Sequence, residues 1–291
     1  MFEPEYCKSS DKLMNYCYNE YIPATPIEGK LSSVNLLFNS FEQSPEKDKF
    51  VKLVNDIRSS IGSGRTVWGL KMTGSTLSWE FYFYNYFQPD LNMSDVLKSM
   101  SGIVRCDFEL PSNKNIVIYS FDIDERAVHS GMIERAHVYT DTASGVTDSP
   151  DGLIRTVMTY ILTKNDVTKG NFYCVYSDHA RQMKSIVRNS THSVFCSPNN
   201  VRHADIIWPE LIKCRNITLA NKPRADGIYF SGLSVDQFIF SLKKLGYPDN
   251  IVSFVESNRN KLDHMKYDVG FDYRSENGNL KIVRSGFFGL F

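Results

Sequence analysis

Leu77-Ser78-Trp79-Glu80-Phe81-Tyr82-Phe83-Tyr84-Asn85-Tyr86-Phe87 alternates two kinds of side chain, and this alternation decides how the rest of the chain is read. Side chains along a β-strand point to opposite faces with a period of two. One face carries Ser78, Glu80, Tyr82, Tyr84 and Tyr86; the other carries Trp79, Phe81, Phe83, Asn85 and Phe87. The Phe/Trp face suits packing beneath helices. A row of tyrosines holding one carboxylate suits a cavity wall: large flat surfaces, few charges, and hydroxyls that can orient a ligand.

Other segments repeat the pattern. In 66–72, Val67, Gly69 and Lys71 oppose Thr66, Trp68, Leu70 and Met72, and the turn TGST leads into 77–87. In 170–176, Asn171, Tyr173 and Val175 share a face. In 225–231, Gly227, Tyr229 and Ser231 share one and Ile228 and Phe230 the other. In the last strand Leu280, Ile282, Arg284, Gly286 and Phe288 share a face, and in 212–220 Lys213 and Arg215 lie opposite Asn216 and Thr218. Strand cations that face a barrel interior are costly unless an anion meets them. A diphosphate would do so, and Arg grips such groups in bidentate fashion.

Working outward, the chain divides into an irregular, Pro-containing arm over 1–42 and one domain over 43–291. Apolar spacing predicts helices at 45–61, 94–102, 178–189, 204–211, 234–245 and 247–263. Strands are predicted at 66–72, 77–87, 104–110, 115–123, 131–140, 153–163, 170–176, 212–220, 225–231, 266–274 and 280–288, with PSNK and SENGN as hairpin turns. Strand pairs separated by helices argue against a doubly wound sheet. There is no G-x-G-x-x-G and no G-x-x-x-x-G-K-[ST]. The predicted class is α+β: an antiparallel β-barrel built from repeated αββα units with the helices outside.

Composition bounds the function. The 291 residues hold 33 Lys+Arg and 33 Asp+Glu, so a net charge of zero gives no global field to hold nucleic acid. No apolar run approaches the ~20 residues of a membrane span, and no secretory leader is legible, so a cytoplasmic location is expected. The six cysteines form no C-x-x-C pair and are expected to stay reduced. Aromatic residues reach 13%, and the strand faces divide them into a Phe population for the core and a Tyr population for a cavity.

On these residues the chain resembles the aromatic prenyltransferases of the αββα-barrel (ABBA) type. The resemblance rests on the element order and on three stretches: Leu77-Ser78-Trp79-Glu80-Phe81-Tyr82, Asn171-Phe172-Tyr173, and Ile282-Val283-Arg284-Ser285-Gly286-Phe287-Phe288. It implies prenyl transfer from an allylic diphosphate (dimethylallyl or geranyl) to an indole- or phenol-type small molecule, as in secondary metabolism. It makes Glu80 the base on the acceptor and Arg284 a diphosphate ligand. Tyr173 and Tyr229 would shield the allyl cation. Lys71 and Arg215 are candidates for the diphosphate by strand and face, and Tyr82 and Tyr84 for the substrate wall. No cofactor is required on this reading; Mg²⁺ is admissible.

Two other readings stand beside it. One is a non-enzymatic small-molecule carrier built on the same Tyr-lined barrel. The other is a metal-dependent enzyme using Asp122 and Asp124, which fall on one strand face and could hold a divalent ion. His137, alternating with Tyr139 in a strand, reads as structural, and no Ser/His/Asp set can be assembled.

Overall fold

The computed structural model describes residues 3–16, 18–85, 88, 90–111, 116–149, 152–199 and 201–291, with the backbone alone over 142–149 and 152–153. The predicted 45–61 helix forms as α2 (Lys47–Ile61), and a short helix, α1 (Val34–Phe41), precedes it. Strands β1 (Val67–Thr73) and β2 (Thr76–Tyr84) follow as a hairpin. Next come α3 (Met93–Met100), β3 (Arg105–Cys106), β4 (Ile116–Ile123), α4 (Glu125–Ser130) and β5 (Met132–Ile133). Three strands then run in succession: β6 (Ala136–Ser149), β7 (Gly152–Leu162) and β8 (Val167–Tyr176). After α5 (Met183–Thr191) and α6 (His203–Ile206) the chain forms β9 (Asn216–Asn221) and β10 (Asp226–Leu233). Helices α7 (Val235–Leu245), α8 (Asp249–Ser257) and α9 (Arg259–Leu262) lead to the closing hairpin β11 (Tyr267–Glu276) and β12 (Asn279–Leu290).

Ten of these strands close a barrel in the order β1-β12-β11-β10-β9-β8-β7-β6-β4-β2. Every neighbouring pair is antiparallel, and each barrel strand pairs with the next barrel strand in sequence; β1 and β12 pair to close the ring, from Val67↔Leu290 to Met72↔Ser285. Closure removes the exposed edges of an open sheet. The α+β antiparallel barrel is therefore present.

Strict αββα repetition is not. Residues 104–110 were expected to join the barrel, but only β3 forms there, and it pairs in parallel with β5 in a separate two-stranded sheet. Phe108 and Leu110 pack against the helix-side core instead of extending a ladder. So β4 enters without a hairpin partner before it, and β6, β7 and β8 follow with no helix between them. Residues 112–114 of the expected PSNK turn and the positions Tyr86 and Phe87 lie outside the described residues.

The main core lies between the barrel's outer surface and the helices. Trp79, Phe81 and Phe83 of β2 all face it, as their alternation predicts. Phe50 of α2 sits 4.5 Å from the Trp79 ring and stacks on Phe41 of α1, while the Trp79 indole N–H donates to Ser40 at 2.8 Å. Phe238 of α7 stacks at 4.3 Å on Tyr267 and meets Phe287 edge-on. Helix ends are set locally: the Ser234/Gln237 capping box opens α7, and Gly246, in the left-handed region, closes it. Asp124 lies just beyond β4, and its carboxylate accepts the Ala127 N–H at 2.8 Å. That correction separates it from Asp122: Asp124 is a helix cap, because the strand has ended and the backbone amides of α4 need an acceptor.

One register detail changes a predicted face. Between β11 and β12 the pairing shifts from Asp272↔Arg284 to Tyr273↔Ile282, a bulge that places one extra residue in β12. Directly opposed residues share a face, so Ile282 goes to the outer side with Tyr273, and Leu280 packs against the outer core. The alternation Leu280–Ile282–Arg284 breaks at the bulge.

Candidate functional site

Five aromatic rings form a closed girdle inside the barrel. Tyr82 and Tyr139 have centroids 6.3 Å apart, Tyr139 and Tyr173 6.1 Å, Tyr173 and Tyr229 6.1 Å, Tyr229 and Phe288 6.2 Å, and Phe288 and Tyr82 6.0 Å. The rings come from β2, β6, β8, β10 and β12, which is every second strand around the barrel. In closed barrels, inward side chains of alternate strands form layers. The intervening strands must then be small at this level. A Cβ on Gly270 of β11 would stand 2.1 Å from the Tyr229 ring, and one on Gly69 of β1 would stand 2.8 Å from Phe288. Both glycines are there because aromatic rings lie directly against their backbones.

The girdle divides the interior. On one side is an apolar chamber of about 290 Å³, walled by residues that include Tyr84, Ile118, Val157 and Val175. On the other is a narrower polar chamber of about 70 Å³. The polar layer lies two residues before each ring on the same strands: Glu80, His137, Asn171, Gly227 and Gly286. Three hydroxyls of the girdle are tied to polar groups here. Tyr82 donates to Glu80 at 2.6 Å, Asn171 donates to the Tyr173 oxygen at 2.8 Å, and Lys222 donates to the Tyr229 oxygen at 2.7 Å. A larger cleft of about 530 Å³ runs along the arm outside the barrel, but its Glu5 and Arg58 are already paired to each other.

The polar chamber holds two charged clusters. In the first, the Lys71 ammonium bonds Glu80 and also Asp122, the latter at 3.0 Å; Ser120 donates to Glu80; and His137 Nε2 lies 3.0 Å from Asp122 Oδ2. Glu80 is 2% exposed. Burial, the largest single influence, and the Asp122 charge push against its ionisation, but Lys71 and His137 together outweigh them and hold the Glu80 carboxyl below its usual range. The same balance, with Lys71 and His137 opposing burial, lowers Asp122. Burial likewise works against the Lys71 ammonium, and Asp122 and Glu80 more than offset it, so its pKa is raised. In the second cluster Lys222 bonds Asp272 at 2.6 Å, and Asp272 is the cross-strand partner of Arg284. Arg284 is exposed at the chamber mouth, 3.3 Å from the Thr73 hydroxyl.

Sequence-selected residues distribute as follows. Glu80, Lys71, Tyr82, Tyr173, Tyr229 and Arg284 all line the polar chamber, while Tyr84 lines the apolar one. Arg215 lines neither; it is exposed just before β9, with its backbone N–H bonded to the Ser231 carbonyl. The sequence reading passed over His137, Lys222, Asp272, Tyr139 and Phe288. A signal existed for His137, Tyr139 and Phe288: a polar residue or glycine two before an aromatic recurs as Glu80/Tyr82, His137/Tyr139, Asn171/Tyr173, Gly227/Tyr229 and Gly286/Phe288, a pattern that does not reach Lys222 or Asp272.

Oxygen or nitrogen donors of Glu80, Asp122 and His137 all lie within 4.8 Å of one another, the separation expected of ligands around one cation. No helix among the described residues is long and apolar enough to cross a membrane.

No family model matches the chain. It is similar to a JmjC domain-containing protein of Acanthamoeba polyphaga mimivirus, 22% identical over 294 residues that cover 91% of this chain. The chain spans about half (47%) of that relative's length. This likeness overturns the expected prenyltransferase identity: the protein that matches most of the chain is named for a JmjC domain, a jelly-roll module, and not for an αββα prenyltransferase. The allylic diphosphate and aromatic acceptor, which rested on that resemblance, fall with it.

Proposed function

We propose that the barrel interior binds a small molecule with a flat apolar body and a polar head, and that the head meets a divalent cation held by Glu80, Asp122 and His137, as in a metal-dependent enzyme. The observation that carries this reading is the convergence of those three donors beneath the aromatic girdle. The working unit on this reading is the barrel of residues 43–291 with the arm of 1–42 laid over it.

The donor set decides which metal suits. Non-haem Fe(II) oxygenases use two His and one carboxylate. This cluster offers one His and two carboxylates, and no second His lines the polar chamber among the described residues. The meandering order of the ten strands also differs from a jelly roll, which is built from Greek keys. The mimivirus relative, about twice this length, therefore supports metal-dependent chemistry in general and no particular metal. Carboxylate-rich sets suit Mg²⁺ or Mn²⁺.

Charge supports the same choice. The polar chamber has three Lys/Arg cations (Lys71, Lys222, Arg284) and three carboxylates (Glu80, Asp122, Asp272), so these six side chains balance. A divalent ion would take the place of the Lys71 ammonium between Glu80 and Asp122 and leave the chamber net positive, suited to an anionic head. Such an ion supplies Lewis-acid polarisation of a ligand oxygen. The protein's own groups do the rest: Tyr82 fixes the Glu80 carboxylate, His137 orients Asp122, and the girdle excludes water from the apolar body.

Mn²⁺ titration followed by electron paramagnetic resonance tests this. Wild-type protein is expected to bind about one Mn²⁺, with affinity lowered about 10-fold or more in Asp122→Asn and in His137→Ala. A wild-type protein that ignores millimolar Mn²⁺ (roughly the weak end of such sites) would defeat the metal reading. The carrier reading would then be favoured by one specific observation: the Lys71 ammonium already bridges both carboxylates without a metal.

A further inference from the structure

The arm forms part of the chamber wall. Tyr16 and Asn19 line the apolar chamber together with Phe288 and Tyr84. The Tyr16 ring stacks on Phe288 at 5.1 Å, and the Tyr18 ring lies 5.0 Å from Tyr84. Beneath these rings Phe288 is 9% and Tyr84 5% exposed, so the inward aromatics at this end of the barrel are covered by the arm and not by a helix.

This segment is closed on itself. Met14 bridges Glu20, Asn15 and Asn19 bond through their backbones at 3.1 Å, and the Asn15 side chain accepts the Asn19 N–H at 3.0 Å. Tyr18 adopts φ 58°, the left-handed region, which a bulky residue occupies at a cost. Its flanks are anchored separately: Cys7 and Ser32 bond across to Lys30 and Glu5, and Glu5 meets Arg58 in a two-point pair at 2.6 Å. After Tyr21 the chain runs through Ile22, which is 91% exposed. A locally closed unit between anchored flanks can move as one piece.

One buried group joins that unit to the barrel. The Tyr16 N–H donates to Asp268 Oδ2 at 3.1 Å, while Asp268 Oδ1 accepts the Gly232 N–H at 3.1 Å. Asp268 is 2% exposed and takes part in no ion pair among the described residues; Arg215 faces it from before β9, with Cys214 beside it and Tyr21 on the arm. Burial, only partly offset by the Tyr16 and Gly232 N–H bonds and by Arg215, pushes its pKa up to about 6, and those two N–H bonds hold the carboxylate beneath the arm. Opening the arm would return it to water. Tyr18 adds a bond to the Gly64 carbonyl at 2.8 Å, and Tyr21 accepts the Lys266 N–H at 3.1 Å.

We infer that residues 14–16 and 18–21 form a lid that completes the ligand chamber, latched at Asp268, and that a ligand enters the apolar chamber when this lid lifts. The inference rests on reading the interior as a ligand site, and it adds Tyr16 and Tyr18 to that site as positioning residues. The alternative is a fixed structural strap.

Limited chymotrypsin digestion separates the two, because cleavage after Tyr16, Tyr18 or Tyr21 requires local opening. Asp268→Ala is expected to raise the rate of arm cleavage about 10-fold or more, from loss of a charge-assisted bond. Tyr16→Pro removes the same N–H from the arm side and leaves the barrel sequence untouched, so it serves if Asp268→Ala misfolds. Saturating 2-naphthol, a flat aromatic probe, should slow cleavage of the wild type about 10-fold by holding Tyr16 and Tyr18 against it. Unchanged cleavage in both folded variants would overturn the lid. So would naphthol that binds, by its own fluorescence, without protecting the arm; the binding reading would then survive alone. Faster cleavage in the variants with no naphthol binding would uphold the latch and count against the interior as a site for a flat apolar ligand.

Discussion

Lys71→Met is expected to destabilise the protein by about 3–5 kcal/mol at neutral pH, the range for removing one partner of a buried ion pair. Lys71 is the counter-charge that lets Glu80 and Asp122 stay ionised inside the barrel. Without it two carboxylates face each other across one cross-strand pair, Glu80↔Asp122, where burial and mutual repulsion oppose their ionisation and only His137 and the Tyr82 and Ser120 hydroxyls still support it. The pH dependence should invert with the substitution. In the wild type both carboxyls titrate below their usual range, and unfolded carboxylates titrate near 4. Their contribution is thus present above about pH 4 and is lost as pH falls through the depressed folded values. In the variant the folded values rise above 4, the unfolded state becomes the better ionised one, and stability falls as pH rises through those values. Urea denaturation at about pH 5 and about pH 7.5 reads the sign directly. The variant also reports on the metal. With the ammonium gone, Mn²⁺ can neutralise the same oxygens, and at a hundredfold excess over Kd it should restore about 2.7 kcal/mol. A variant as stable as wild type at both pH values would refute the compensation described for this cluster.

Gly270→Ala is the second large effect. The added Cβ would sit 2.1 Å from Tyr229 Cδ1 and 2.6 Å from Cε1, closer than any real contact, and Gly270 is the cross-strand neighbour of Tyr229. Either β11 shifts or the ring leaves the girdle, and the Lys222–Tyr229 bond goes with it. Overpacking of this kind costs about 1–3 kcal/mol. The test is a double-mutant cycle with Tyr229→Ala, in which the alanine at 270 should cost little once the ring is absent. Additive losses would show that the methyl and the ring do not compete. Gly69→Ala should be milder, since its nearest contact is 2.8 Å from Phe288.

The girdle also marks how far sequence reading reaches. Period-two alternation separated Trp79, Phe81 and Phe83 from Glu80, Tyr82 and Tyr84, and the fold puts the first set under helices and the second in the interior. It succeeded there because the ladder of β2 is regular from Thr76 to Tyr84. It failed where the ladder is irregular. The bulge opposite Tyr273 sends Ile282 outward, and 104–110 leaves the barrel altogether. His137 was read as structural because a lone strand histidine carries no pattern by itself; its neighbour Asp122 is 15 residues away in sequence but only 3.0 Å away across the sheet. Asp124 was coupled to Asp122 by alternation, though the strand ends at Ile123. The identity suggested by three short stretches is overturned, because such stretches record local strand texture and not chemistry.

The amino-acid sequence alone determined the class of each strand face: which side chains are apolar enough to be buried beneath helices, and which tyrosines, glycines and charges would share the other side. That information is local, since it follows from a two-residue period and turn chemistry. Only the tertiary structure decided that the strands close, that every second one supplies a ring, and that Lys71, Glu80, Asp122 and His137 meet at one point. Those contacts depend on register and closure between segments far apart in the chain, and a single-residue bulge is enough to reverse them.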